Sequence, residues 1–421
     1  MDKIKILIKE LLKKRTLKNG AWLYAMQIFN TVVPLLTLPY ITRILGRSQY
    51  GVFSVALNLI TYLQVLVEYG FIMSATREVA LSDKKNTTLS KIFSNVICVR
   101  IFLYAISMII VLGYLFVKKN DPTLCKCTIT LLVCLLGYVV QQNWFFQGMN
   151  EMKYISVVNI IGRTVSTVLI FLLVKKPDDI VIYSLLYSVS PLLSGFVGIC
   201  IVTGKFKIKF AFPSFSDMKK EFAAGFYVFT TSLSAKVFGA IGVTILGAMY
   251  ASDIVGAFSA IQKIPNIVIL MWTPISQIMY PIASRKNGES IKDGISFVRK
   301  VSGIILPLFA AGSLLMAVFS KQIVYIAFGE EYVQYSYWLI FLVIWMFFGI
   351  VNNFLGIQIL LASGHDKEYS KCFQIGVAAT VIINYIFISQ IGGTGAAAAP
   401  AFSEILITVL LLIQVKKVMS L

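Results

Sequence analysis

Charge is what this sequence has least of. Asp, Glu, Lys and Arg make up 14% of its 421 residues, against roughly 25% in ordinary soluble domains. A water-soluble fold of this size would need far more polar surface, so that class is excluded. Histidine occurs once, at His365 in a polar loop, which leaves no multi-histidine metal centre. The six cysteines (Cys98, Cys125, Cys127, Cys134, Cys200 and Cys372) are scattered, mostly within apolar runs. Cys125 and Cys127 are the only close pair, and they read as ordinary loop sequence rather than a redox or metal site. A Walker A sequence is missing, so ATP hydrolysis within the chain is not expected. So are a nucleophile elbow and a zinc-protease histidine pair. The adjacent Glu330 and Glu331 read as a solvated turn. The expectation is a protein that is not an enzyme and takes no metal or cofactor.

What is abundant is apolar. Hydrophobic residues reach 58%, with thirty Phe, twenty Tyr and five Trp, and the mean hydropathy is +0.82. Disordered chains are polar and poor in aromatics, so disorder is excluded as well. The class that remains is an all-α polytopic membrane protein. A spanning helix needs about 20 apolar residues, and the chain has room for about twelve. The hydropathy pattern predicts spans at 19–43, 49–76, 91–117, 124–148, 153–174, 179–203, 220–249, 254–283, 297–319, 333–362, 370–390 and 395–415. Prolines at 34, 39, 265, 274, 281 and 307 would kink three of these helices, as in proteins that bend or line a cavity.

Lys and Arg number 38 against 19 acidic residues, and their placement orients the chain. With the N-terminus in the cytoplasm, 26 basic residues fall in cytoplasmic segments, 8 in outer segments and 4 inside spans. That bias predicts both termini inside. Residues 1–18 carry seven of the basic residues among Ile4, Leu7, Ile8, Leu11 and Leu12 at helical spacing. They read as a basic amphipathic segment on the anionic inner leaflet and not as a cleavable signal.

The chain folds in half. A shift of 205 residues places Gly20 on Gly225, Trp22 on Tyr227, Gln27 on Ser232, and Gly51-Val52-Phe53-Ser54 on Gly256-Ala257-Phe258-Ser259. The expected organisation is an N-lobe at 19–204, a basic cytoplasmic linker at 205–219 and a C-lobe at 220–421. Six helices per half is even, so the two lobes are parallel repeats, with substrate held between them near the midplane. The same shift aligns two polar stripes: Ser54, Asn58, Thr61 and Glu68 on one helix, Ser259, Lys263, Asn266 and Thr273 on the other. Each stripe shares a helix face. The serines and threonines suit interhelical hydrogen bonds; Asn58, Lys263, Asn266 and Glu68 suit a common cavity. Gln27, Asn58, Thr61 and Asn266 are placed on that cavity's wall.

Six ionisable groups fall within spans: Glu68, Arg100, Arg163, Lys236, Lys263 and Glu404. Each costs about 2.5–3.5 kcal/mol at a helix centre on insertion scales, so six left bare would cost roughly 15–20 kcal/mol, comparable with a whole protein's stability. They must be paired or hydrated. Four cations against two anions leave positive charge over, which suits an anionic substrate such as a phosphate or pyrophosphate. Arg163, Lys236 and Lys263 are expected to attract it, with Arg100 either joining them or snorkelling to the interface. Glu68 and Glu404 are expected to balance these charges or to titrate during coupling.

The first hairpin reads Asn19-Gly20-Ala21-Trp22, then Pro34, then Leu38-Pro39-Tyr40-Ile41-Thr42-Arg43-Ile44-Leu45-Gly46 and Tyr50-Gly51, continuing to Gly70 and Arg77; a later helix ends Asn143-Trp144-Phe145-Phe146-Gln147-Gly148. These patterns resemble the Wzx-type polysaccharide flippases, whose superfamily also holds multidrug/toxin extruders and lipid II flippases. The resemblance implies a V-shaped pair of six-helix lobes around a central cavity that opens alternately to each side. The implied substrate is an undecaprenyl-pyrophosphate-linked oligosaccharide, an O-antigen or related unit, flipped outward across the bacterial plasma (inner) membrane. Implied partners are that polyprenyl-linked oligosaccharide, membrane lipid, and the polysaccharide polymerase and chain-length proteins; nucleic acid is not among them. A cation-coupled multidrug exporter would want a more acidic lumen. A non-transporting assembly partner would not need buried charge aligned across two halves, and an integral glycosyltransferase or polymerase would need a large outer loop.

Overall fold

The chain is seen in a computed structural model that describes residues 14–419. The basic amphipathic segment expected over 1–18 falls largely outside the described residues. The helices run α1 (Lys14–Glu68), α2 (Ser74–Leu81), α3 (Asn86–Val117), α4 (Pro122–Val140), α5 (Asn143–Gly148), α6 (Met152–Leu173), α7 (Ile180–Gly204) and α8 (Phe215–Met249). They continue α9 (Ser252–Ile261), α10 (Lys263–Glu289), α11 (Ile291–Val318), α12 (Ser320–Phe328), α13 (Glu330–Val333) and α14 (Trp338–Asn352). A π-helix (Asn353–Leu360) and α15 (Asp366–Met419) close the chain. There is no β-strand among the described residues. In hydrocarbon every backbone N–H and C=O must be satisfied inside the segment, and helices do this.

Ten described segments are long and apolar enough to cross a bilayer. Two of them are too long to cross it once. Trp22–Glu68 has 47 residues and Asp366–Lys417 has 52, about 70 and 78 Å of helix at ~1.5 Å per residue, against a hydrocarbon core of about 30 Å. Both are broken at a glycine with positive φ: Gly46 (φ 68°) and Gly392 (φ 58°), a conformation open to glycine because it lacks a Cβ. Each is therefore two spans, giving twelve among the described residues. The expected span ends differ in places. The second helix stops at Glu68, where Tyr69 and Gly70 take positive φ, rather than running to 76. Cys125 and Cys127 lie in a helix, not a loop, because Asp121 caps it by accepting from the Leu124 N–H at 2.9 Å with Pro122 in the first turn. All six cysteines are free.

The described chain clusters into two units: residues up to 37 with 56–236, and residues 38–55 with those from 237 onward. In the first, small residues bring helix backbones together. A Cβ on Gly137 would stand 2.5 Å from the Leu192 nitrogen, and one on Gly162 2.4 Å from the Ser190 oxygen. Ser166 and Ser194 donate across the same helix pair to the carbonyls of Leu186 and Val158, at 2.7 and 2.9 Å. Small residues and hydroxyl bridges are how helices associate where lipid removes the hydrophobic drive. Trp144, Phe145 and Phe146 are fully buried. Gly148 abuts Val79, and Thr76 donates to the Trp144 carbonyl at 3.0 Å. The aromatic motif thus anchors α2 onto α5.

The second unit holds both copies of the repeated glycine motif. A Cβ on Gly51 would meet the Ser252 carbonyl oxygen at 1.7 Å, and one on Gly256 the Arg47 carbonyl oxygen at 2.0 Å. A second seam joins the two halves of α15, where Gly376 meets Ile407, and the run Ala396–Ala399 is buried.

Candidate functional site

In the first unit, Glu68, Arg100 and Arg163 come from α1, α3 and α6. Arg100 is 4% exposed. Its Nη1 donates to the carbonyls of Tyr138, Val139 and Gln141 at 3.3, 3.5 and 2.7 Å. These belong to the C-terminal end of α4, where the last carbonyls have no partner within the helix and the dipole favours a cation. Glu68 lies within electrostatic reach of Arg100 and accepts from Gln64 Nε2 at 3.1 Å. Arg100 is therefore held in protein and does not snorkel to the interface.

Arg163 is different. It is half-buried, and the described ion pairs, which join Arg47 to Glu331, Lys85 to Asp83 and Lys91 to Asp217, do not include it. It lies within electrostatic reach of Tyr138 and Tyr187. One turn earlier on α6, Asn159 Oδ1 accepts from Gln141 Nε2 at 3.1 Å, and Asn159 Nδ2 reaches Asn143 Oδ1 at 3.4 Å. A turn apart, Asn159 and Arg163 share a face of α6. The result is a cation flanked by phenols and amides at bilayer depth.

Of the other expected cations, Lys236 is half-buried and Lys263 exposed, and both engage neighbours. The stripes divide by residue type. Ser54 and Ser259 are buried in the glycine-motif contact, with Ser54 donating to the Tyr50 carbonyl at 2.8 Å. Asn58, Thr61, Asn266 and Gln27 are half-buried, and Thr273 is exposed.

The second unit contains a network that charge counting only half anticipated. Glu404 is 7% exposed. Its Oε2 accepts from Asn352 Nδ2 at 2.5 Å, and the same nitrogen reaches the Glu404 carbonyl at 2.9 Å. Thr408 Oγ1 donates to Asn352 Oδ1 at 2.7 Å. Ser276 Oγ donates to Asn353 Oδ1 at 2.8 Å, and Gln358 Nε2 donates to the Ser276 carbonyl and hydroxyl, each at 3.0 Å. The π-helix begins at Asn353; such wide turns recur at functional sites. Two cavities adjoin this network, of about 160 and 580 Å³, and they share Gly349, Asn353, Ile357 and Glu404 as walls. Groups of three or more metal-ligating side chains are absent among the described residues.

A chain of twelve spans with polar and charged groups at depth has the construction of a transporter. The profile of the family described as polysaccharide biosynthesis protein matches residues 16–286. The chain belongs to that family. It is 26% identical over 399 residues, 95% of this chain and 96% of the other, to a candidate O-antigen transporter of Escherichia coli (strain K12). It is 25% identical over 403 residues, 93% and 82% of the two chains, to the candidate low-salt glycan biosynthesis flippase Agl15 of Haloferax volcanii. Among solved structures it is similar to the lipid II flippase MurJ in an inward closed conformation, with a TM-score of 0.74 at 14% identity over 95% of this chain and 87% of that one. An inward-facing multidrug resistance MATE family transporter gives a TM-score of 0.70 at 14% identity over 93% and 98%. At such identities the likeness establishes the fold: an all-α, multi-pass membrane transporter fold, as the hairpin motif implied.

Proposed function

We propose that this polysaccharide biosynthesis family member is a flippase. It moves undecaprenyl-pyrophosphate-linked oligosaccharide units, of O-antigen or related type, from the cytoplasmic to the outer leaflet by alternating access of the lobes at 19–204 and 220–421. The observation that carries the reading is Arg163: a half-buried guanidinium at bilayer depth, flanked by Tyr138, Tyr187 and Asn159. The head group is the obstacle to crossing, because a diphosphate with sugars cannot enter hydrocarbon unaided. Arg163 meets the diphosphate, since guanidinium forms paired, charge-assisted bonds to phosphate oxygens. Lys236 and Lys263 add to the attraction. The polyprenyl tail stays in lipid.

Arg100 and Glu68 take a supporting part: the guanidinium closes the end of α4 and Glu68 is its counter-ion. Glu404 meets an amide and not a cation, so it is the carboxyl assigned to coupling or ligand contact. The test is to express Arg163→Gln in a strain lacking its own flippase. Surface polysaccharide should fall while the amount of protein in the membrane holds. Full polysaccharide with Arg163→Gln would remove the residue from the mechanism.

A further inference from the structure

We propose that the second unit contains a carbohydrate subsite of its own. Its ligand is one sugar ring of the transported oligosaccharide. It is formed by Trp272, Trp345, Gln277, Tyr280, Asn353 and Glu404 around the 580 Å³ cavity. The proposal deepens the flippase reading and rests on it.

The polarity of the walls decides the class of ligand. Trp272 is 3% exposed, packed by Phe309 and Phe354 at 5.6 and 5.2 Å between ring centres. Its indole N–H is sealed from the cavity, so the ring lines the wall without offering a donor. On the opposite account, Glu404 uses Oε2 for the Asn352 amide. Its Oε1 lies beside Gly349, where even an added Cβ would stand 3.5 Å away. The missing side chain at 349 leaves that oxygen open to the cavity. Asn353 accepts from Ser276 through Oδ1, a bond that does not use its amide hydrogens.

The cavity thus offers donors and acceptors together, beside aromatic faces. A bare cation would satisfy Glu404 and be repelled by the amide hydrogens of Asn353. An acyl chain would satisfy neither, and exposed Gln277 on the same wall would be costly against lipid. A sugar hydroxyl both donates and accepts, and the C–H faces of the ring lie well on tryptophan. The volume falls in the range of small-molecule sites, about 300–1,000 Å³. All lining residues belong to one unit, so the subsite does not depend on how the two units meet.

Saturation-transfer NMR on the full chain in lipid nanodiscs tests this. D-glucose, D-galactose, N-acetyl-D-glucosamine and L-rhamnose are presented one at a time, with tetramethylammonium and sodium chloride as cation controls. At least one sugar should receive transfer at its ring C–H protons. Gly349→Leu, which fills the cavity, should abolish it. Asn353→Leu, which keeps the bulk and removes the amide hydrogens, should weaken apparent affinity about tenfold, the equivalent of roughly one hydrogen bond. The proposal is overturned if no sugar receives transfer, if both variants bind like the parent, or if the cation controls compete the sugar off the site. Failure here alongside loss of surface polysaccharide in Arg163→Gln would reject the subsite and keep the flippase. A bound sugar alongside normal polysaccharide in Arg163→Gln would do the reverse.

Discussion

Gly51 and Gly256 occupy reciprocal places in one tight helix contact. A Cβ on Gly51 would strike the carbonyl of Ser252, and a Cβ on Gly256 would strike that of Arg47. The two glycines are 205 positions apart, and so are Arg47 and Ser252. Reciprocity of this kind is what a local two-fold produces, so the offset found by sliding the sequence on itself has a physical counterpart. Ser48 and Ser252 add a hydroxyl contact at 3.1 Å.

Neither glycine should tolerate a methyl group. Gly51→Ala and Gly256→Ala should each lower stability by about 1–3 kcal/mol or more, because the clash is with backbone rather than a movable side chain. Thermal unfolding in detergent reads this directly. Gly113→Ala is the control: nothing lies within 4 Å of its added Cβ, so it should unfold at or above the parent temperature. Equal melting of all three proteins would refute the contact.

Arg100→Gln should be destabilising by about 1.5–3 kcal/mol, the usual worth of a buried hydrogen bond from a charged group. It strips the end of α4 of its donor and leaves Glu68 uncompensated. Adding Glu68→Gln should recover part of that loss, since the two residues share one electrostatic environment. Membrane abundance and melting temperature of both variants provide the check. A double variant as unstable as the sum of the singles would show that the two side chains act independently.

Cysteine scanning in a cysteine-free background separates buried packing from hydrated wall. Ser54→Cys and Ser259→Cys should resist a water-soluble maleimide, because both sites are sealed by the glycine contact. Asn266→Cys and Thr273→Cys should react. Labelling at 54 and 259 would mean that this contact opens, and protection at 266 and 273 would mean that the stripe is dry.

Much of the architecture could be read from the sequence because the bilayer constrains it so strongly. Long apolar runs between basic loops leave few alternatives to twelve helices. The breaks at Gly46 and Gly392 fall between expected spans for the same reason. The site was harder. Ionisable residues stand out in an apolar run, which is why Arg163 and Glu404 can be picked out as candidates. Counting charges could not tell that Arg100 would cap α4, because that depends on where a second helix ends in space. Uncharged amides were missed: Asn159 lies one turn before Arg163, and Asn352, Asn353 and Gln358 interrupt the apolar run that begins at Trp338. An amide pair inside such a run was the available signal. Helical spacing records a shared face and not what that face meets, so only the residue types along each stripe separate packing serines from wall amides.

The central claim is that Arg163 recognises a lipid-borne diphosphate during translocation. The direct measurement is outward movement of a fluorescent undecaprenyl-pyrophosphate oligosaccharide in proteoliposomes containing the parent, Arg163→Lys or Arg163→Gln. The parent should translocate the lipid. The lysine variant should retain part of the rate, and the glutamine variant should lose roughly tenfold or more, as expected for one charge-assisted contact of about 1.5–3 kcal/mol. A glutamine variant as fast as the parent would contradict the account.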